Sequence, residues 1–143
     1  MANEKLVITG MGAVTPIGVG VQAYWESLIG GVCGVGPITR FDASALPVQI
    51  AAELKNFDPA AYMPKSLART MDPFMQYAFI AAGEALKDSG LIIETESERI
   101  GIVMGTAMNG ITTVAQTQQS FDSGDTHRVG PRFVPMVIGN VAA

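Results

Sequence analysis

The sequence has little of several residue types, and each shortage excludes a class of protein. Its one cysteine, Cys33, rules out an internal disulfide framework. Its nine lysines and arginines stand singly along the chain against thirteen aspartates and glutamates, which gives a net charge of -4. Because nucleic-acid binding needs clustered positive charge to neutralise phosphates, we expect no nucleic-acid partner.

Long apolar runs are also missing. No stretch approaches the roughly 20 consecutive apolar residues of a membrane-spanning helix. The first five residues, Met-Ala-Asn-Glu-Lys, lack the basic and then apolar layout of a signal peptide. We therefore expect a cytoplasmic protein that does not associate with a membrane.

The chain nevertheless contains a large share of apolar residues, 48% hydrophobic against 15% charged. This is more than a soluble domain of its size needs. Residues 134–143 have the pattern of an apolar helix, and no helix-ending signal follows Ala143. We therefore interpret residues 1–143 as a single incomplete domain, a part of a larger fold.

Two apolar runs predict strands. Residues 6–8 (Leu-Val-Ile) and 100–104 (Ile-Gly-Ile-Val-Met) each lead into a glycine turn. Their lack of polar alternation is typical of strands covered on both faces, as in a parallel sheet between helix layers. A third strand is predicted over residues 49–53. Because helical segments follow the two apolar runs, the fold class is predicted to be α/β.

Two helices are predicted from the spacing of apolar residues. The first covers residues 21–29, ends at Gly30 and Gly31, and carries an apolar stripe that we interpret as core. The second and longer helix has Asp72 as its N-cap, starts at Pro73 and closes at residues 89–90. Its apolar residues cover most of its circumference, so we expect it to be buried nearly all round.

Two glycine-rich segments imitate nucleotide-binding motifs. Residues 10–15 (Gly-Met-Gly-Ala-Val-Thr) begin like a dinucleotide fingerprint, but Thr15 replaces the third glycine and Pro16 prevents a helix from opening there. Residues 105–110 have the spacing of the two P-loop glycines, but Ile111 and Thr112 follow where a P-loop has Lys and Ser or Thr. We therefore expect no nucleotide and no other cofactor.

The remaining reactive side chains predict neither a nucleophile nor a metal site. A nucleophilic Cys33 would need a helix N-terminus, a basic neighbour or a paired histidine, and no neighbour in the sequence supplies one. A contact with His127, the only histidine, stays open. Asp122, Asp125 and His127 are too loosely spaced to indicate a metal site.

Several longer phrases together resemble one family. They are residues 7–18 (Val-Ile-Thr-Gly-Met-Gly-Ala-Val-Thr-Pro-Ile-Gly), 36–42 (Gly-Pro-Ile-Thr-Arg-Phe-Asp), 69–72 (Arg-Thr-Met-Asp) with Phe74 and Gln76-Tyr77, and Phe133 with Val134-Pro135. In these phrases the chain resembles the β-ketoacyl-acyl-carrier-protein synthases, most closely the type II synthases of bacterial fatty acid synthesis. The resemblance runs in order over essentially all 143 residues.

The resemblance implies a fold, a reaction and partners. The fold would be thiolase-like, with two related α/β halves stacked as αβαβα layers in a homodimer, and this chain would end before the nucleophile region. The reaction would be a decarboxylating Claisen condensation of an acyl thioester with malonyl-acyl-carrier protein. Cys33 and His127 match none of the catalytic residues of the family, so we expect the chain by itself to be inactive.

The resemblance also assigns binding residues. Met108 corresponds to the family position that gates the acyl pocket, and Phe133 to a position near the dimer interface that approaches the pocket of the neighbouring subunit. Lys65, Arg69 and Arg128 match or adjoin positions where basic residues meet the acidic carrier protein.

The chain departs from the family pattern at two places. Residues 105–110 replace a turn that commonly reads Gly-Thr-Gly-Ile-Gly-Gly, and Arg132 replaces a common aromatic residue. These changes leave the acyl chain length open. They also fit a polyketide ketosynthase relative. A non-catalytic partner subunit like a chain-length factor and a binding or dimerisation module are two further alternatives.

Overall fold

The computed structural model describes residues 5–143, apart from the side chains of Glu96 and Arg128. The chain divides into two compact units. The first contains the described residues up to Asp58 together with Ala81–Gly90, and the second contains Pro59–Ile80 and Leu91–Ala143.

The first unit contains two short antiparallel strand pairs and a helix. Strand β1 (Val14–Thr15) pairs with β2 (Gly18–Val19), and helix α1 (Val21–Ile29) follows directly. Strand β3 (Val35–Pro37) pairs with β4 (Ile50–Ala52), with Gly36 opposite Ala51. The strand predicted over residues 49–53 is therefore confirmed.

The second unit is mainly helical. Its helices are α2 (Lys65–Ala68), the first half of α3 (Pro73–Ser89), α4 (Ile93–Glu96), α5 (Ile111–Asp122) and α6 (Phe133–Val137). Short 3-10 helices cover Pro59–Ala61, Ser97–Arg99, Thr126–Arg128 and Gly139–Ala142. Within the described residues, no helix is both long and apolar enough to cross a membrane.

The two helices predicted from the sequence form where expected. Helix α1 ends at Gly30, whose N–H donates to the carbonyl of Glu26, and Gly31 then adopts a positive φ of 67°. Helix α3 starts at Pro73 and is followed by Gly90 at φ 65°. Glycine takes this left-handed conformation without a steric penalty, which is why it ends helices so often.

The burial expected for these helices is wrong. Met75 is the only residue of α3 that is buried, and none of α1 is buried. In α1, 55% of the Trp25 side chain and 68% of the Ile29 side chain are exposed. An apolar stripe is buried only where another element covers it, and the described residues provide no complete covering layer for α1.

The two predicted central strands, residues 6–8 and 100–104, are also wrong for this structure. Both segments lie outside the two described strand pairs, and most of their side chains are exposed, with Leu6 and Val103 almost completely so. A strand exists only when a neighbour accepts and donates its ladder hydrogen bonds. Apolar composition alone cannot supply that neighbour.

A single helix over residues 134–143 was expected, and the structure corrects this. Helix α6 ends at Val137, and Ile138 leaves the helical region with φ -84° and ψ 122°. The side-chain Nδ2 of Asn109 donates to the carbonyl of Val137, and a Cβ at Gly139 would lie 3.2 Å from the Asn109 side chain. A tertiary contact therefore replaces the next hydrogen bond of the helix.

Candidate functional site

The glycines of residues 10–15 serve helix packing. A Cβ at Gly10 would overlap the carbonyl oxygen of Ala85, and one at Gly12 would overlap that of Ala81. Both glycines therefore let the backbone approach α3 more closely than any side chain would permit. The two glycines therefore have a packing role in this structure.

Two carboxylates of α3 bind the backbone around this contact. Glu84 accepts hydrogen bonds from the N–H of Ala13 at 3.0 Å and of Val21 at 2.8 Å. Asp88, one turn later, accepts one from the N–H of Met11 at 3.0 Å. Glu84 and Asp88 therefore stabilise the fold, because their hydrogen-bond donors are backbone N–H groups.

A third carboxylate, Glu53, fixes the chain near β4. The hydroxyl of Thr39 donates to Glu53 at 2.8 Å, and the N–H groups of Thr39 and Arg40 donate at 3.0 to 3.3 Å. The Thr39 hydroxyl, more than any other group, holds the pKa of Glu53 below its ordinary value, against the opposing effect of burial. Glu53 therefore stabilises the strand pair β3–β4 in its ionised form.

An open cavity of about 570 Å³ lies along α5 in the second unit. It is lined by hydroxyl and amide side chains of α5 and by Ser123, Asp125, Gly130, Arg132, Phe133 and Met136. Phe133 is half-buried there, whereas Arg132 is exposed. The cavity thus contains an aromatic ring, a flexible thioether, one basic and one acidic side chain, and several neutral polar groups.

Met108, the other expected pocket residue, is not among the residues that line this cavity. It lies in the turn over residues 105–110, and 67% of its side chain is exposed. The turn ends at Asn109, which donates to Val137, and at buried Gly110. The structure therefore places Phe133 in the cavity and Met108 on an exposed turn.

Two of the basic residues expected to bind the carrier protein, Lys65 and Arg69, are exposed in the structure. Lys65 is the first residue of α2, Arg69 follows the last, and both are exposed. The N–H of Arg69 donates to the carbonyl of Lys65 at 3.2 Å, so one helical turn separates them and they share a face. The side chain of Arg128 lies outside the described residues.

Cys33 and His127 show no catalytic arrangement. Cys33 is exposed, and its thiol lies 3.9 Å from the carbonyl of Val35 in the first unit. His127 is exposed in a 3-10 helix of the second unit. Among the described residues, no three His, Cys, Asp or Glu side chains form a cluster that could hold a metal ion.

Sequence reasoning missed two functions of acidic residues. Asp72 was expected only to cap α3, and in the structure its carboxylate also binds α5 through Thr113. Glu84 was not singled out, yet it caps α1 from a distant part of the chain. The sequence did contain one signal of these contacts. The N-cap residues of α1 and α5 are glycines, which have no side chain, so each helix needs a cap from another part of the chain.

Comparison with known proteins shows the family to which the chain belongs. The family described as "Beta-ketoacyl synthase, N-terminal domain" matches residues 3–143. The 3-oxoacyl-[acyl-carrier-protein] synthase 2 of Coxiella burnetii is 40% identical over 144 aligned residues, which cover 100% of this chain and 35% of that protein. The chain thus spans about a third of the length of the curated relatives it matches.

Solved structures of ketosynthases are also similar to this chain. A beta-ketoacyl synthase from Burkholderia phymatum superposes with a TM-score of 0.75 at 26% identity, covering 96% of this chain and 34% of that one. The ishigamide ketosynthase/chain length factor gives a TM-score of 0.70 at 28% identity, with the same coverage. These likenesses confirm the expected thiolase-like α/β fold class.

Proposed function

This chain belongs to the β-ketoacyl synthase family through its N-terminal domain, and we propose that it forms part of a 3-oxoacyl-[acyl-carrier-protein] synthase of type II fatty acid synthesis. The observation that carries the proposal is 40% identity to such a synthase along the whole chain. The reaction would be a decarboxylating Claisen condensation.

The proposed reaction has two stages. A cysteine thiolate attacks an acyl thioester of the carrier protein, and the carrier thiol leaves. Malonyl-acyl-carrier protein then loses carbon dioxide, and the carbanion attacks the enzyme-bound thioester, expelling the cysteine thiolate. The product is a 3-oxoacyl thioester that is two carbons longer. Histidines and backbone N–H groups stabilise the charge that develops on the thioester oxygens.

We assign no catalytic residue to this chain. Cys33 is exposed, with its thiol 3.9 Å from the carbonyl of Val35 in the same loop, and His127 is exposed in a 3-10 helix. Neither matches a catalytic position of the family. The 143-residue chain alone is therefore inactive, and its contribution is to substrate and partner binding.

Met108 and Phe133 are the proposed acyl-binding residues of this chain. The half-buried ring of Phe133 lines the cavity along α5, which supports a role in holding an apolar chain. Met108 projects from its turn and, being unbranched, could repack around chains of different length. In a homodimer, Met108 would lie at the acyl pocket, and Phe133 would approach the acyl pocket of the neighbouring subunit.

Lys65, Arg69 and Arg128 form the proposed docking surface for the acidic acyl carrier protein. The exposure of Lys65 and Arg69 on one face of α2 supports this role. Charge complementarity of this kind mainly accelerates encounter and orients the partner. The proposed location of the enzyme is the cytoplasm.

One alternative has a specific observation in its favour. A solved structure that superposes on this chain contains a ketosynthase together with a chain length factor. A subunit of the second kind would shape the pocket of an active partner without having a nucleophile of its own.

The test is an assay of the complete gene product with acyl-acyl-carrier protein and malonyl-acyl-carrier protein. Mass spectrometry should detect a 3-oxoacyl product, with release of one carbon dioxide per turn. Replacement of the nucleophilic cysteine that the family uses, where the complete protein has one, should abolish the product. A complete protein with no cysteine at that position, inactive alone but required by a second synthase, would favour the partner-subunit alternative.

A further inference from the structure

Helix α5 begins at a glycine that cannot cap it. Gly110 adopts the left-handed conformation, with φ 63° and ψ 15°, and has no side chain to accept the N–H groups of the first turn. A Cβ at this position would also overlap the backbone of Val137. Both conditions require glycine, so the cap must come from another part of the chain.

Asp72 supplies this cap. Its Oδ2 accepts hydrogen bonds from the N–H of Thr113 at 2.9 Å and from the Thr113 hydroxyl at 2.7 Å. Thr113 is the third residue of α5, the position whose N–H an N-cap side chain normally binds. The other oxygen, Oδ1, lies 3.4 Å from the N–H of Phe74 in α3. One carboxylate thus serves the first turns of two helices.

The carboxylate is also shielded from water, because only 2% of the Asp72 side chain is exposed. A hydrogen bond to an ionised group gains strength when water cannot compete for it. If Asp72 were removed, the N–H and the hydroxyl of Thr113 would lose their partner, and the first turn of α5 would lose its cap.

The turn over residues 105–110 is therefore held at its C-terminal end by two contacts. Asp72 fixes the start of α5 directly after the turn, and Asn109 is bound to the carbonyl of Val137. Between Gly105 and these anchors, Met108 projects with 67% of its side chain exposed. The position of Met108 therefore depends on the hydrogen bonds that Asp72 and Asn109 make.

We propose that Asp72 is a positioning residue for the acyl site: through Thr113 it sets the place of the 105–110 turn, and so determines which acyl chain lengths Met108 admits. This inference rests on the proposed function, in which Met108 borders the acyl pocket. Loss of the cap lets the turn shift, and a displacement of about 1 Å is enough to alter a binding site measurably.

The test compares four variants of the complete synthase. Asp72→Ala removes the cap, and Thr113→Val removes only the hydroxyl donor at nearly constant volume. Asp72→Asn keeps one oxygen acceptor and should rescue much of the wild-type behaviour. Glu84→Ala is the matched control, since it removes the carboxylate that caps α1, another helix with an N-cap glycine, within the other unit.

Hydrogen exchange reports on the cap without any assay of activity. In Asp72→Ala we expect amides of residues 108–114 to exchange about tenfold faster than in the wild type, and in Glu84→Ala we expect them to be unchanged. Thr113→Val should have a smaller effect in the same peptides. Equal exchange in Asp72→Ala and the wild type would overturn the capping step of the inference.

Substrate selectivity tests the second step. The ratio of kcat/KM for long and short acyl chains should change by about tenfold in Asp72→Ala and stay constant in Glu84→Ala. In a Met108→Ala background, Asp72→Ala should change the ratio no further, because the two residues act through one gate. An independent effect in that background would overturn the inference.

The failures of the inference and of the proposed function are distinguishable. A folded complete protein, intact at its downstream cysteine, that condenses no acyl-acyl-carrier protein of any length would refute the proposed function. An active enzyme with unchanged selectivity in both Asp72→Ala and Thr113→Val would overturn the inference alone.

Discussion

The carboxylate of Glu84 lies 2.8 Å from the backbone nitrogen of Val21, the first residue of α1. It takes the place of a cap that Gly20 cannot provide, since glycine has no side chain and this one has a φ of 95°. Residues 63 positions apart in the sequence therefore form one helix start. A second bond, from the N–H of Ala13, fixes the preceding hairpin to the same carboxylate.

Loss of this cap should destabilise the first unit. We expect Glu84→Ala to lower the free energy of unfolding by about 1 to 2 kcal/mol, the usual cost of a lost helix cap. Glu84→Gln should lose less, because its amide oxygen still accepts one hydrogen bond. Urea unfolding at low protein concentration gives the values. Glu26→Ala, which changes an exposed residue of α1, is the control, and an equal effect of both alanines would contradict the capping role.

Gly12 and Gly83 should respond oppositely to the same substitution. A methyl group at Gly12 would overlap the carbonyl of Ala81, so Gly12→Ala should destabilise by about 1 to 3 kcal/mol. Gly83 lies inside α3 with open space around it, so Gly83→Ala should stabilise by about 0.5 to 1 kcal/mol. Thermal unfolding of the two variants should shift Tm in opposite directions, and the same sign for both would refute the packing role of Gly12.

Glu53 should make stability depend on pH. Its pKa in the folded chain lies below the ordinary value of 4.5, so its contribution is fully present above that value and is lost as the pH falls through the lowered pKa. Glu53→Gln should therefore be less stable than the wild type near pH 7, and the difference should shrink below about pH 4. Unfolding curves for both proteins across this range test the prediction. A difference that grows on acidification would show that the pKa is raised instead.

Charge reversal on α2 should weaken carrier-protein binding. In the complete enzyme, Lys65→Glu combined with Arg69→Glu should reduce affinity for acyl carrier protein by about tenfold at low salt, and the loss should narrow as salt increases. Lys55→Glu combined with Lys87→Glu changes the net charge equally at two other exposed positions. If both pairs reduce affinity to the same extent, general charge rather than docking at α2 is responsible.

The isolated chain should self-associate. The side chains of Leu6, Ile8 and Val103 are more than 80% exposed, and apolar surface of this kind is normally covered. Sedimentation velocity at increasing concentration should show species larger than the 15.0 kDa monomer. Ile8→Lys combined with Val103→Lys should reduce this association. Gln118→Lys, which changes an exposed polar residue, should not reduce it. A stable monomer at high concentration would contradict the prediction.

Much of the local structure could be predicted from the sequence. The start of α3 followed from Asp72 and Pro73, and the ends of α1 and α3 from glycines that took positive φ. These signals involve residues within one helical turn, so they act whatever the rest of the chain does. The strands predicted at residues 6–8 and 100–104 do not form in this structure, because a strand depends on a distant hydrogen-bonding neighbour that the local sequence does not reveal.

For the candidate site, the sequence by itself determined the family, the absence of nucleotide motifs, and the prediction that Met108, Phe133, Lys65 and Arg69 are binding residues. Only the tertiary structure decided that Phe133 lines a cavity while Met108 sits on an exposed turn. It also decided that Asp72 binds Thr113, 41 positions away. A helix cap needs one acceptor within about 3 Å of an N–H group. Sequence spacing reveals such an acceptor when it is adjacent, but only the folded chain can bring a distant carboxylate to that place.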